Sequence, residues 1–183
     1  MPLDKRRSYP TTSWIHPSLE VRQSRIHGLG LHATAPIKIG MVVVKMGGVV
    51  ITQAEIEQGH FKPHSITGIG EGLWLGDLPS SADSPDNYIN HSCDPSLWME
   101  DEVTLSTRRA LGVGDEATID YAMWIPNPHW KLNGDCNCGT GMCRRRVTGL
   151  DWRLPELAAR YGRHFSPFIY ERLNHLKDHS PLV

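Results

Sequence analysis

Through the first two thirds of the chain, apolar residues come in short bursts that stop at glycine or proline, a pattern of short strands rather than long helices. Leu19-Glu20-Val21-Arg22 alternates apolar with polar, and Met41 to Val44 is a mostly β-branched run. Gly47-Gly48 reads as a turn after which Val49-Val50-Ile51 resumes the strand. Further short strands are expected at Leu73 to Leu75, Leu97 to Glu100, Val103 to Thr107 and Ala117 to Ile119. Thr52 followed by Glu55 is a capping-box pattern, so a short helix is predicted to about Gln58, ending at Gly59. Past position 150 the period changes: Pro155 suits a first helical turn, and Leu154, Leu157, Ala158 and Tyr161 share one face up to Gly162. Ser166-Pro167 opens a second helix carrying Phe168, Ile169, Leu173 and Leu176, and such a pair reads as a cap over a core.

At 183 residues the chain suffices for one domain with a small appendage, able to bury a core without disulfides. No apolar run approaches the ~20 residues of a membrane span, and the start, MPLDKRRSYPTTSW, has no apolar stretch behind its basic residues. Residues 1–18 therefore read as a flexible leader, with no signal peptide and an intracellular location. A net charge of −1 gives no support to direct nucleic-acid binding. Charge is unevenly spread: between Glu71 and Asp120 eleven acidic residues face only Arg108 and Arg109, whereas the end is arginine-rich. An acidic middle would steer a basic protein or peptide. Arg144-Arg145-Arg146 reads by default as a solvated basic edge, the alternative being a hold on a cofactor carboxylate or an acidic partner.

Cysteine placement narrows the chemistry. Cys136, Cys138 and Cys143 crowd into CNCGTGMC, and Cys93 stands far upstream in NHSC. Four soft ligands, one from a remote segment, suit a structural tetrahedral zinc site, and Gly139 and Gly141 allow the tight turns that aim several sulfurs at one point. Four reduced thiols are the alternative; disulfides fit poorly, since Cys136 and Cys138 are too close to pair comfortably.

Three segments, Arg25 to Ala33 (RIHGLGLHA), Tyr88 to Pro95 (YINHSCDP) and Gly114 to Tyr121 (GDEATIDY), stand in order before the cysteine cluster. Together they resemble the signature motifs of SET-domain protein lysine methyltransferases, and CNCGTGMC resembles the zinc-binding post-SET segment of that family. The resemblance implies a mainly β (α+β) SET-type fold of several short sheets, a zinc-bound post-SET segment and C-terminal helices. It implies domains at 19–125 (SET), 126–149 (post-SET) and 150–183 (helical tail). By the same resemblance the cofactor is S-adenosylmethionine, contacted by Gly28, Leu29, Gly30, Tyr88, Asn90 and His91, with structural zinc on the four cysteines. Gly28 and Gly30 would let the backbone approach a ligand unobstructed.

Tyr121 is the catalytic candidate, a fixed phenol that orients an acceptor amine rather than a general base. Two departures bear on the acceptor. Ile119 stands where the family usually has Phe or Tyr, and Lys45 or Met46 falls where a second channel aromatic is usual. Ile119 and Trp74 are the channel candidates, with Trp124 and Trp130 also able to rebuild an aromatic wall. The function expected is a lysine N-methyltransferase acting on a basic protein or peptide. The rivals are a non-catalytic module of the same fold that binds a basic peptide, and a methyltransferase for a non-lysine or small-molecule acceptor. The sequence does not specify the oligomeric state.

Overall fold

A computed structural model describes residues 9–178. Among these residues, ten strands make three small antiparallel sheets. The first holds β1 (Trp14–Ile15), β4 (Val42–Lys45), β9 (Thr104–Thr107) and β8 (Leu97–Met99), in the order β1-β4-β9-β8. The second is β10 (Glu116–Ala117), β3 (Leu29–Ala33) and β2 (Leu19–Gln23); the third is β5 (Val49–Thr52), β7 (Leu73–Gly76) and β6 (Thr67–Gly70). The apolar bursts at 41–44 and 49–51 do form strands, but not a hairpin. β4 pairs with β1 and β9 while β5 pairs with β7, because Gly47-Gly48 passes the chain from one sheet to the next. Close approach forces Gly47: a Cβ there would lie 2.4 Å from the Thr12 backbone. Trp14 and Ile15, within the stretch expected to be a leader, are thus edge-strand residues, and residues 1–8 of that stretch lie outside the described ones.

Helix α1 (Gln53–Glu57) starts at the predicted capping box, with Thr52 accepting from the Glu55 amide and the Glu55 side chain taking the Thr52 amide. α2 (Pro155–Tyr161) has proline in its first turn and ends at Gly162, whose φ of +54° favours glycine. α3 (Pro167–Asp178) follows. Both helices close the same core as the first two sheets: Trp152, Leu157, Tyr161, Phe165 and Ile169 pack in one cluster with Leu31, Val44, Leu105 and Ile119. A smaller cluster of Cys93, Cys136 and Val147, flanked by Trp130 and Leu132, holds the cysteine segment. Among the described residues no helix is long and apolar enough to cross a membrane.

Candidate active site and metal centre

The segment 88–93 runs alongside 119–121 through an isolated parallel bridge between His91 and Ile119. Its rungs are the Ile119 amide on Asn90 O at 3.1 Å and the Ser92 amide on Ile119 O at 2.9 Å. This pairing brings Asn90, His91 and Tyr121 together. Tyr121 N–H donates to His91 Nδ1 at 3.2 Å, which leaves the imidazole proton on Nε2, facing Cys93 Sγ at 3.3 Å. The ring is therefore a strut between a cysteine sulfur and the backbone of Tyr121. Burial pushes the His91 pKa down to about 4, so the ring is neutral at ordinary pH.

Asn90 is held at its amino end. Nδ2 donates to the carbonyls of His27 (3.1 Å) and Leu29 (2.9 Å) and to Glu116 Oε1 (2.8 Å), so the side chain offers a ligand its Oδ1 acceptor. Glu116 also takes the Ser24 hydroxyl at 2.9 Å. Gly28 has a φ of +49° with open space where a Cβ would sit, as a ligand-facing glycine should. Gly30 has a different reason: a Cβ there would lie 2.3 Å from Glu116 Oε1 and 3.1 Å from Asn90 Nδ2. It leaves room for the Glu116–Asn90 bond.

Three cavities surround these residues. One of about 540 Å³ is walled by Gly28, Leu29, Tyr88, Asn90, Tyr121 and Met46, among others. A smaller one of about 160 Å³ shares His27, Asn90 and Tyr121 with it and is also lined by His91 and Cys136. A third of about 600 Å³ holds Trp74 and shares Trp124 and Trp130 with the first. Trp124 lies 6.1 Å from the Tyr121 ring, nearly parallel, and Trp130 stands edge-on at 5.8 Å. The aromatic surface around Tyr121 is thus built by these two tryptophans, and Met46 lines the same cavity. Ile119 is fully buried in the core and is not on the walls of these cavities. Tyr121 OH donates to the Ile89 carbonyl at 3.0 Å, and burial, with the Glu116 charge adding, pushes its pKa up to about 12.

The four cysteine sulfurs lie within 4.8 Å of one another, close to the ~3.8 Å edge of a tetrahedron with 2.3 Å metal–sulfur bonds. Without a cation, burial pushes Cys93 up to about 11 and raises Cys136 too, whereas hydrogen bonds from Thr140, the Cys93 backbone and the Cys136 thiol outweigh burial to lower Cys138. Four clustered thiols, Cys93 and Cys136 buried and Cys138 and Cys143 half-buried, call for a divalent soft-ligand metal, and the donor set fits zinc with no position left for water. Gly139 turns the loop at φ +69°; the second left-handed residue is Arg145, at φ +64°, not Gly141.

The arginine run is not uniformly a solvated edge. Arg145 and Arg146 are exposed, but Arg144 turns inward with both Nη atoms on Asp120, at 2.7 and 2.8 Å, and Nε on Asp151 at 3.0 Å. Its amide donates to Cys93 Sγ at 3.3 Å. Burial would raise the Asp120 carboxyl, but the Arg144 guanidinium prevails and holds it below its usual value. The acidic middle is likewise engaged internally: Asp83 with Lys62, Asp94 with Arg108 and Asp120 with Arg144. That weakens the expectation of long-range steering.

A family model for the SET domain matches residues 28–122. The chain belongs to the SET domain family. It is 26% identical over 158 residues to histone-lysine N-methyltransferase ash1 of Drosophila melanogaster, covering 79% of this chain and 7% of that protein. It is 30% identical over 137 residues to human histone-lysine N-methyltransferase 2B, covering 68% of this chain and 5% of that one. Among solved structures, KRYPTONITE in complex with mCHH DNA, H3(1-15) peptide and SAH superposes with a TM-score of 0.56 at 25% identity, over 70% of this chain and 29% of that one. The chain therefore spans a small part of the curated relatives it matches. The SET fold of small antiparallel sheets with few helices is the one the motifs implied. Motif reading missed Glu116, Asp120 and Tyr161, because what they do depends on partners distant in sequence.

Proposed function

We propose that this SET domain is an S-adenosylmethionine-dependent protein lysine N-methyltransferase with Tyr121 aligning the acceptor amine. One observation carries the reading: Tyr121 and Asn90 line the same two cavities, with the Tyr121 hydroxyl fixed on Ile89 and its ring flanked by Trp124 and Trp130. When bound, S-adenosylmethionine supplies an electrophilic methyl group on a sulfonium. Asn90 Oδ1 suits its ammonium group, the Gly28 turn leaves room for its chain, and the small cavity beside His91 suits its flat base. SAH in the related structure supports the same cofactor class.

The chain's own residues then have to present a neutral amine in line with the methyl group. Met46, Ile66, Ile89 and Ile125 exclude water around the approach, which favours the uncharged amine over the ammonium. With a pKa near 12, Tyr121 stays protonated at neutral pH. Its hydroxyl proton goes to Ile89, so its lone pairs are what remain to hold the amine and the polarised methyl group. The faces of Trp124 and Trp130 suit an alkylammonium product. The acceptor enters from the Trp74 side, where the two large cavities share walls. Residues 19–125 form the catalytic unit, 126–149 the metal-locked segment and 150–183 the helical tail. The histone-directed names of the relatives and the peptide in the related complex support a lysine-bearing polypeptide as acceptor and an intracellular location.

Tyr121→Phe should cut turnover by about a hundredfold, as misalignment of reacting groups does. Calorimetric affinity for S-adenosylmethionine should hardly change. Unchanged turnover would remove Tyr121 from the mechanism.

A further inference from the structure

The turn that carries Tyr121 is fastened from outside the family-matched region. Asp120 is fully buried and caps the 3-10 turn Tyr121–Met123, its Oδ1 accepting the Ala122 amide at 3.0 Å. Arg144 grips both of its oxygens. A carboxylate held by one planar fork still rocks about the axis of that fork, and a rocking Asp120 releases the Ala122 amide. A contact from another element stops it: Tyr161 OH, on α2, donates to Asp120 Oδ2 at 2.9 Å. Tyr161 is 1% exposed and packs edge-on against Phe165 at 5.7 Å, so its phenol has one place to point. The neighbouring Arg160 reaches the Cys93 carbonyl at 3.0 Å, tying the same helix to the metal segment.

We infer that Tyr161 is a positioning residue for Tyr121, acting through Asp120, so that the C-terminal helical tail is part of the reactive centre and not only a cover for the core. The kinetic side of this inference rests on the methyl-transfer reading above; the structural side does not. Tyr161→Phe removes the hydroxyl and keeps the ring on Phe165. Tyr170→Phe, an exposed hydroxyl on α3, is the control and should change nothing.

Amide exchange at Ala122 by NMR is read together with kcat, KM, S-adenosylmethionine affinity by calorimetry, and zinc content. Loss of a hydrogen bond to a charged group should speed Ala122 exchange and lower kcat, each by about tenfold. Acceptor KM, cofactor affinity and zinc content should stay as they are. Unchanged exchange at Ala122 overturns the inference whatever the activity does. Faster exchange with intact kcat overturns it as well. A parallel fall in melting temperature, zinc content and cofactor affinity assigns Tyr161 to stability alone and also overturns it. If the parent chain methylates no polypeptide, the functional reading fails, while the exchange measurement still decides whether Tyr161 holds the Asp120 turn.

Discussion

Arg145 occupies a conformation made for glycine. Its φ of +64° costs an L residue about 1–2 kcal/mol, and its exposed side chain gives no packing in return. The conformation persists because the Arg145 carbonyl must accept the Cys136 amide at 2.7 Å. Arg145→Gly should therefore raise stability by up to about 1 kcal/mol, the greater freedom of glycine in the unfolded chain offsetting part of the gain. A denaturant midpoint that falls would mean the arginine side chain holds something its exposure does not reveal. Arg144, next to it, shows the limit of reading such a run. Three adjacent arginines look alike in sequence, and what separates them is Asp120, 24 residues upstream, which no local pattern announces. Glu116 escaped notice for the same reason, its partner Asn90 lying 26 residues away.

Among the secondary-structure elements, what was legible was what is local. The capping box at Thr52, the proline start at 155 and the Gly162 stop fixed their helices, since each depends on atoms within one turn. Strand positions were also legible at 73–76, 97–99 and 104–107, but sheet membership was not: β4 and β5 look like consecutive arms of a hairpin and lie in different sheets. β6, with two glycines in four residues, gives almost no strand signal and exists because β7 pairs with it. The irregular stretch from 127 to 149 is stitched by the Lys131–Thr148 bridge and the Gly149 amide on Trp130 O at 2.9 Å. A Cβ on Gly149 would fall 1.8 Å from Asn127 O. Gly149→Ala should thus cost about 1–3 kcal/mol as an overpacked contact and loosen Trp130. Thermal denaturation, with tryptophan fluorescence as the local probe, checks both; an unchanged melting temperature would show that the loop has slack.

For the molecule as a whole, the motifs gave the four cysteines and the company they keep, three through their short spacing and Cys93 through the NHSC motif it sits in; they did not give the wiring. His91 spans from Cys93 Sγ to the Tyr121 amide, and Arg144 from Cys93 Sγ to Asp120. Emptying the metal centre should therefore disturb cofactor binding. One zinc per chain is expected, lost in Cys93→Ser. Chelation should weaken S-adenosylmethionine binding by at least about tenfold, the scale on which residues around a metal act. Metal-free protein that binds cofactor normally would show that the two are uncoupled.

The contacts around Cys93 also set a schedule for synthesis. Cys136, its sulfur neighbour, is made 43 residues later, and Arg160, which takes its carbonyl, 67 residues later. A nascent chain emerging from the ribosome thus carries the Gly28 turn, the Asn90 segment and Tyr121 well before anything exists to close around them. Until α2 has been translated, the Cys93 carbonyl lacks Arg160 and the Asp120 carboxylate lacks Tyr161. The centre is assembled from its edges inward, and α2 supplies the last of the contacts described around it.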